Sequence, residues 1–226
     1  MKRLSLYLII LSTSLFASHK EKNSLTPEFR KICDLPEVYE CEHFLTGKDC
    51  DKIIEGARPL LTRSTVVDLN SSNGLVDPRR SSLGMFFSRS TEGKTVQKIR
   101  KNITSIAGIP AENGEDMQVL HYKVGGEYQP HYDYFDPSTP GGLIHFNRGG
   151  QRVATLLVYL NTVEKGGETI FPKANLAITP TKGKAVLFYN VKHDGKIDPK
   201  SFHGGAPVIA GEKWIATIWL RERKFE

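Results

Sequence analysis

The chain has 226 residues, 39% of them hydrophobic and 25% charged, with a formal net charge of +6. That is the balance of a soluble globular protein of one ordinary domain or two small ones, and it excludes a disordered chain, a collagen-like fibre and a multi-span membrane protein. The cationic excess is small and interleaved with acids (Glu112, Glu115, Asp116; Arg221, Glu222, Arg223), so no phosphate-tracking stripe forms and nucleic acid is not an expected partner.

The first elements are an address and a tether. Met1-Lys2-Arg3, a mostly apolar run from Leu4 to Phe16, and Leu15-Phe16-Ala17 before polar Ser18-His19-Lys20 read as a secretory signal peptide over residues 1–17. The run is shorter than the ~20 apolar residues that span a bilayer, so cleavage is favoured over a signal anchor. The expected location is the secretory pathway, in the endoplasmic reticulum lumen or secreted, with a membrane anchor as the alternative. Residues 18–36 are polar and Pro-containing, a tether ahead of one domain over 37–226. Cys33, Cys41 and Cys50 form no CxxC pair for zinc. In an oxidising lumen one disulfide is possible, and Cys33 with Cys41 is preferred because Cys50 falls in a helical pattern. Asn70-Ser71-Ser72 and Asn102-Ile103-Thr104 are glycosylation sequons that matter only in that compartment.

Two helices follow. Thr46 caps the first, with Asp49 in the capping-box position and Ile53, Ile54, Ala57 and Leu61 on one face. The second spans about Thr91 to Ala107, with Val96, Ile99, Ile103 and Ile106 at spacings of three and four, stopped by Gly108 and Pro110. Between them lie a short strand, Thr65 to Leu69, and a long polar stretch, Asn70 to Ser90, that reads as disorder or a functional lid in which Gly74 and Gly84 permit closure. From about residue 117 the period changes to two. Strands are predicted at Met117–Val124, Tyr128–Tyr134, Arg152–Leu160, Thr169–Phe171, Leu176–Thr179, Ala185–Tyr189, Ala206–Ile209 and Lys213–Arg221. Helices first and strands afterwards, without βαβ alternation, give an α+β, mainly β protein: an antiparallel barrel or jelly roll buttressed by N-terminal helices.

Two patterns carry chemistry. His131-Tyr132-Asp133 sets an imidazole and a carboxylate two residues apart, on one face of a strand, where they make cis ligands of an octahedral metal. His203 is the best third ligand. Two histidines and one carboxylate form the facial triad of non-haem Fe(II) oxygenases. In the last strand Lys213, Ile215, Thr217 and Trp219 alternate with Trp214, Ala216, Ile218 and Leu220, so both faces are largely apolar and the strand is central. A Lys leading into that interior needs an anionic partner, which a dicarboxylic co-substrate supplies, unless it snorkels to water at the strand's open end.

Five blocks then resemble, in order, the catalytic domain of prolyl 4-hydroxylases of the single-chain plant, algal and viral type. They are Gly114-Glu115-Asp116-Met117-Gln118-Val119-Leu120-His121-Tyr122; Tyr128 to Phe135; Gly149 to Leu160; Glu164-Lys165-Gly166-Gly167-Glu168-Thr169-Ile170-Phe171-Pro172; and His203-Gly204-Gly205 with Gly211-Glu212-Lys213-Trp214. The resemblance implies a double-stranded β-helix using Fe(II), 2-oxoglutarate as co-substrate, and ascorbate. It puts His131, Asp133 and His203 on the metal, Lys213 on the distal carboxylate of 2-oxoglutarate, and Tyr122 and Thr169 as hydroxyls on the same carboxylate. Arg80, at the start of a segment similar to the family's mobile loop, and Tyr128, Arg152 and Trp219 fall on peptide-binding positions, with Arg152 offering donors to peptide carbonyls. Arg221 is a departure, since some relatives carry histidine there.

The implied activity is hydroxylation of proline C4 in proline-rich or collagen-like peptides, consuming O2 and releasing succinate and CO2. The intact carboxylate of Asp133 favours hydroxylation over halogenation. A lysyl or other peptidyl hydroxylase would keep the same iron and co-substrate residues and differ in the groove. A non-catalytic β-sandwich binding module would need neither the triad nor Lys213. The pattern leaves the oligomeric state open, with a monomer favoured.

Overall fold

The computed structural model describes residues 27–71 and 73–226, so the signal reading of residues 1–17 and the first part of the tether lie outside the described residues. The last part of that tether is not one. Arg30–Asp34 (β1) and Glu37–Cys41 (β2) form an antiparallel pair, and β1 is an edge strand whose exposed charges hid it from an apolar pattern. Gly47–Ala57 (α1) starts as predicted, its Thr46 hydroxyl accepting the Asp49 N–H at 3.1 Å. Thr62–Arg63 (β3), Val66–Val67 (β4) and Gly74–Leu75 (β5) are short, with β4 and β5 forming a hairpin.

The stretch predicted as a lid reaches only part of the way. Leu83–Phe87 (β6) is a strand of the main sheet, and a Cβ on Gly84 would meet Leu120 Cδ2 at 2.8 Å and Ser64 Oγ at 2.9 Å, so this glycine permits close packing and is no hinge. Lys94–Ala107 (α2) ends on left-handed Gly108, as its sequence requires.

The predicted strands all form, four of them trimmed and the one expected at Ala206–Ile209 shifted along the chain: Met117–Tyr122 (β7), Tyr128–His131 (β8), Arg152–Tyr159 (β9), Thr169–Phe171 (β11), Leu176–Ile178 (β12), Ala185–Tyr189 (β13), Val208–Ala210 (β15) and Lys213–Arg221 (β16). Two short strands are additional, Lys165–Gly166 (β10) and His203–Gly205 (β14). A third helix, Pro140–Asn147 (α3), carries a Thr-Pro start with the Thr139 hydroxyl accepting Gly142 N–H, a signal masked by the two weak helix formers Gly141 and Gly142.

The major sheet runs β1-β2-β13-β9-β16-β7-β6-β3, and the minor sheet β12-β11-β14-β8. Period two on the central strands sorts their side chains onto two faces. Met117, Val119, Ala154, Leu156, Val158, Trp214, Ala216 and Ile218 pack with Ile53, Ala57, Val96, Ile99 and Ile103 of the helices. Leu120, Tyr122, Leu157, Tyr159, Val186, Phe188 and Ile215 pack toward Phe171, Ile178 and Val208 of the opposing strands. All nine residues of β16 are buried, as expected of a central strand covered on both sides. This is the jelly roll with buttressing helices that the sequence implied. Among the described residues no helix is long and apolar enough to cross a membrane.

The cysteines correct one expectation. All three are free, and Cys33 faces Val38 across the β1–β2 pair while Cys41 lies farther along β2, opposite Ala185 of β13. The register keeps Cys33 and Cys41 on different rows, and Cys41 and Cys50 are packed in the helix-side core.

Candidate active site

The sheet pairing builds the metal cluster. His131 ends β8 and His203 opens β14, and the two stand directly opposite in the antiparallel register. Asp133 follows just past the end of β8. The ligand atoms of His131, Asp133 and His203 all lie within 4.8 Å of one another, and each histidine Nε2 is 3.6 Å from an Asp133 oxygen. His131 Nδ1 lies 2.9 Å from the Gln129 carbonyl and His203 Nδ1 2.9 Å from the Ser201 carbonyl. A carbonyl only accepts, so each Nδ1 carries the proton and each Nε2 turns a lone pair toward the carboxylate.

The charges suit a cation. Burial pushes His203 down to about 4 against the pull of Asp133, which keeps its imidazole neutral near pH 7. Burial opposes ionisation of Asp133, yet His203, His131 and Arg152 outweigh it and hold the carboxyl well below the usual carboxylate range. One anionic oxygen donor and two imidazole nitrogens on a single side of a small space fit Fe(II) and leave positions open. Behind Asp133, the Thr155 hydroxyl donates to Oδ2 at 2.7 Å and in turn accepts from Asn190 Nδ2 at 3.2 Å. Neither residue was singled out in the sequence, although Thr155 is a polar side chain on the inner face of an apolar strand.

Lys213 lies across the same cavity. It is 3% exposed and stands opposite Tyr122 in the β16–β7 register, with Nζ 5.7 and 5.9 Å from the Tyr122 and Tyr159 ring centroids. Among the described lysines those that reach a carboxylate are Lys31, Lys182, Lys184 and Lys196, and Lys213 is not one of them. Burial pushes its ammonium down to about 8, with Glu168 pulling the other way. A Cβ on Gly205 would sit 3.3 Å from Nζ, so the glycine keeps the space before the ammonium open. Thr169, also buried, accepts a 2.6 Å hydrogen bond from the Tyr159 hydroxyl, which leaves its own O–H to donate into the cavity. A desolvated cation with flanking hydroxyls and no anion of its own fits one carboxylate of a small dianion such as 2-oxoglutarate.

This inner cavity, about 50 Å³, and an outer cleft of about 520 Å³ share Arg80, Tyr128, His131, Asp133 and Trp219. Tyr128 stacks on His131 at 3.6 Å, and burial pushes its phenol up to about 12. The two arginines expected to meet peptide carbonyls are already engaged. Arg80 is 5% exposed, donates to the Thr65 carbonyl and Gln118 Oε1 at 2.8 Å each, and lies 4.8 Å from the Tyr128 ring, so it braces the tyrosine and is not a free lid residue. Arg152 spends Nε and Nη2 on Glu115 at 2.7 and 2.8 Å and stacks 3.9 Å from Trp219. Arg221 shares the same Glu115 at 2.8 Å, and the pair of guanidinium groups overcomes burial to keep Glu115 ionised below its ordinary range. Sequence spacing offered no signal for that carboxylate.

A jelly roll carrying a His-Asp-His facial cluster beside an uncompensated buried lysine defines an Fe(II)- and 2-oxoglutarate-dependent dioxygenase. The profile of the 2OG-Fe(II) oxygenase superfamily matches residues 117–221. The chain is 41% identical over 213 residues to prolyl 4-hydroxylase 5 of Arabidopsis thaliana, covering 84% of this chain and 70% of that protein. It is 39% identical over 210 residues to the probable prolyl 4-hydroxylase 10 of the same plant, covering 84% and 71%. The structure resembles the viral collagen prolyl hydroxylase of Paramecium Bursaria Chlorella virus-1 in its 2-oxoglutarate complex, with a TM-score of 0.65, 31% identity, and coverage of 84% and 98%. The chain belongs to the prolyl 4-hydroxylase family.

Proposed function

We propose that this chain hydroxylates C4 of proline in proline-rich or collagen-like peptides, using Fe(II), O2 and 2-oxoglutarate and releasing succinate and CO2, with ascorbate as supporting reductant. The observation that carries the reading is the shared wall of the two cavities: the metal cluster and Lys213 face the inner one, and an aromatic cleft with room for an extended chain opens from it. When bound, iron supplies the activation of O2 and the oxidation of the C–H bond.

The protein's part is binding, orientation and exclusion of water. His131, Asp133 and His203 would hold the metal, and Thr155 fixes the Asp133 carboxylate. Lys213, Tyr122 and Thr169 would hold the distal carboxylate of 2-oxoglutarate, with the Tyr159 hydroxyl setting Thr169 as donor. Tyr128 and Trp219 would flank the reacting residue, and Glu115 holds Arg152 against Trp219. A polyproline II peptide suits such a cleft because its rings and carbonyls both point outward.

The same proposal places the enzyme in the secretory pathway, through residues 1–17, where such peptides pass; a full-length fusion that stays in the cytosol would refute that placement. The decisive test is mass spectrometry of proline-rich, collagen-like and lysine-containing peptides after incubation with the iron-loaded protein, with succinate measured in parallel. One added oxygen per modified proline, matched by succinate, is expected. Oxygen on lysine alone would reassign the enzyme to another peptidyl hydroxylase.

A further inference from the structure

Along one side of the outer cleft aromatic rings alternate with guanidinium groups, of which Trp219, Arg152, Phe135, Phe225 and Arg148 line the cleft and Arg221 is buried behind it. Trp219 lies 3.9 Å from Arg152, Arg152 4.7 Å from Phe135, Phe135 4.7 Å from Arg221, Arg221 5.8 Å from Phe225, and Phe225 4.6 Å from Arg148. The ladder starts at the inner cavity, which Trp219 lines, and leads away from it. Its contacts together reach at most about 24 Å, the length of roughly seven residues of polyproline II at ~3.1 Å each. The first rungs adjoin the metal. The last two, Phe225 and Arg148, also line the cleft, and no part of the site described above uses them.

Both outer rungs are fixed in place with something left to offer. Phe225 N–H donates to the Glu112 carbonyl at 3.2 Å, Glu226 N–H to the Arg148 carbonyl at 3.1 Å, and Arg148 Nε to a main-chain oxygen of Glu226 at 3.0 Å. The Phe225 ring is half-buried and Arg148 is exposed. Among the described arginines those that reach a side-chain carboxylate are Arg30, Arg79, Arg100, Arg152 and Arg221, so Arg148 has none and its two Nη groups remain available as donors. A pre-positioned ring takes an apolar ring at low entropic cost, and a guanidinium edge takes backbone carbonyls.

We propose that Phe225 and Arg148 form an outer subsite for a proline-bearing segment of the substrate peptide several residues from the one that reacts. The proposal rests on the peptidyl-prolyl reading above. It predicts a preference for length: for the wild-type chain, kcat/KM should rise from a proline-rich peptide of about five residues to one of about fifteen, which covers even the ~24 Å upper limit of the ladder with residues to spare on either side of the reacting one. Phe225→Ala and Arg148→Ala should each reduce the long-to-short ratio by about tenfold, a single contact's worth, and Phe225→Leu should retain part of the preference. Circular dichroism and melting temperature establish that each variant is folded.

A wild type without length preference, or a ratio unchanged in both alanine variants, overturns the subsite. Should the wild type modify no proline peptide, the functional reading fails, and equilibrium binding of the same two peptides then tests the subsite separately. Loss of the length-dependent affinity in Phe225→Ala supports it, and equal affinity of the two peptides for the wild type overturns it.

Discussion

The inner cavity and the outer cleft meet at Tyr128, His131 and Asp133, yet they are built in different ways. The inner walls come from β7, β8, β9, β14 and β16, whose side chains are fixed by strand register; His203 opposite His131 and Lys213 opposite Tyr122 are consequences of pairing. The outer cleft shares strand residues such as Tyr128, Arg152 and Trp219 but adds walls from the β4–β5 hairpin, α3 and residues beyond β16, held by single hydrogen bonds and stacking. A register cannot drift by less than a whole residue, which turns every side chain to the other face, whereas stacked and loop-borne groups can move by fractions of an ångström. Chemistry that tolerates little positional error sits on the first kind of wall and selection among peptides on the second. Perturbing the inner wall should therefore change iron, 2-oxoglutarate and turnover, and perturbing the outer wall should change peptide use.

The largest effect is expected at the cluster. Asp133→Ala removes the one anionic ligand and leaves two imidazoles, so turnover should fall to background and iron should no longer copurify, while the melting profile still shows a folded protein. His131→Ala and His203→Ala should behave alike. Full activity in all three would move the metal elsewhere.

Lys213→Ala comes next. Losing one partner of a desolvated charge pair costs about 3–5 kcal/mol, which is a rise of roughly two to three and a half decades in the KM for 2-oxoglutarate. The pH dependence sharpens the assignment. Burial lowers the Lys213 ammonium to about 8, so the charged form that attracts a dianion is present below pH 8 and is lost as pH rises through it. The KM for 2-oxoglutarate should climb above pH 8 in the wild type, by up to about tenfold per pH unit. A flat KM from pH 7 to pH 10 would remove Lys213 from the site. On the acid side, His203 titrates near 4 in the folded chain against an ordinary value of 6.5, so protons bind the unfolded chain more readily between those values and stability of the metal-free protein should decline as pH falls through that window.

Thr155→Val tests the layer behind the ligands. It removes the 2.7 Å donor to Asp133 at nearly constant volume, and losing such an outer partner typically costs 10–100-fold in metal affinity. The expected result is a weaker iron Kd, measured by competition with a chelator, with activity recovered at saturating iron. Unaltered affinity would make the hydrogen bond structural only.

The same contrast explains what the sequence disclosed. Period-two strands and the H-x-D spacing made the inner wall legible, because alternation and register are written in residue order: Lys213, Tyr122, Thr169, His131, Asp133 and His203 all line one cavity. The outer wall was not. Arg80 and Arg152 were expected to reach for substrate, but their partners Gln118 and Glu115 stand 38 and 37 residues away in the chain, and no local pattern announces such a pair. Short or polar elements carry no such pattern for related reasons: β1 is a charged edge strand, β6 lies inside a glycine- and serine-rich stretch, and in α3 two glycines follow the opening proline. Alternation places Tyr159 on a strand, but its hydroxyl's role on Thr169 depends on a side-chain contact across the sheets.

The smallest effect is expected where the outer wall is joined to itself. Gly141, in the first turn of α3, donates its N–H to the Leu69 carbonyl at 2.9 Å, and a Cβ there would lie 1.9 Å from the Asp68 carbonyl oxygen and 2.8 Å from that of Ser71. All of these are backbone atoms, so an added methyl cannot be absorbed by a side-chain rotation; the segment leading from β4 toward β5 has to move away from α3. That segment and α3 both border the cleft, through Leu69 and Gly142, and neither lines the inner cavity. Gly141→Ala should therefore loosen one side of the cleft at a cost of about 1 kcal/mol, a several-fold rise in peptide KM. The KM for 2-oxoglutarate and the iron Kd should stay within error of the wild type, because the strands that carry Lys213 and the metal ligands are untouched. A parallel rise in the 2-oxoglutarate KM would show that displacement of the outer wall reaches the sheet, and the two regions would then act as one.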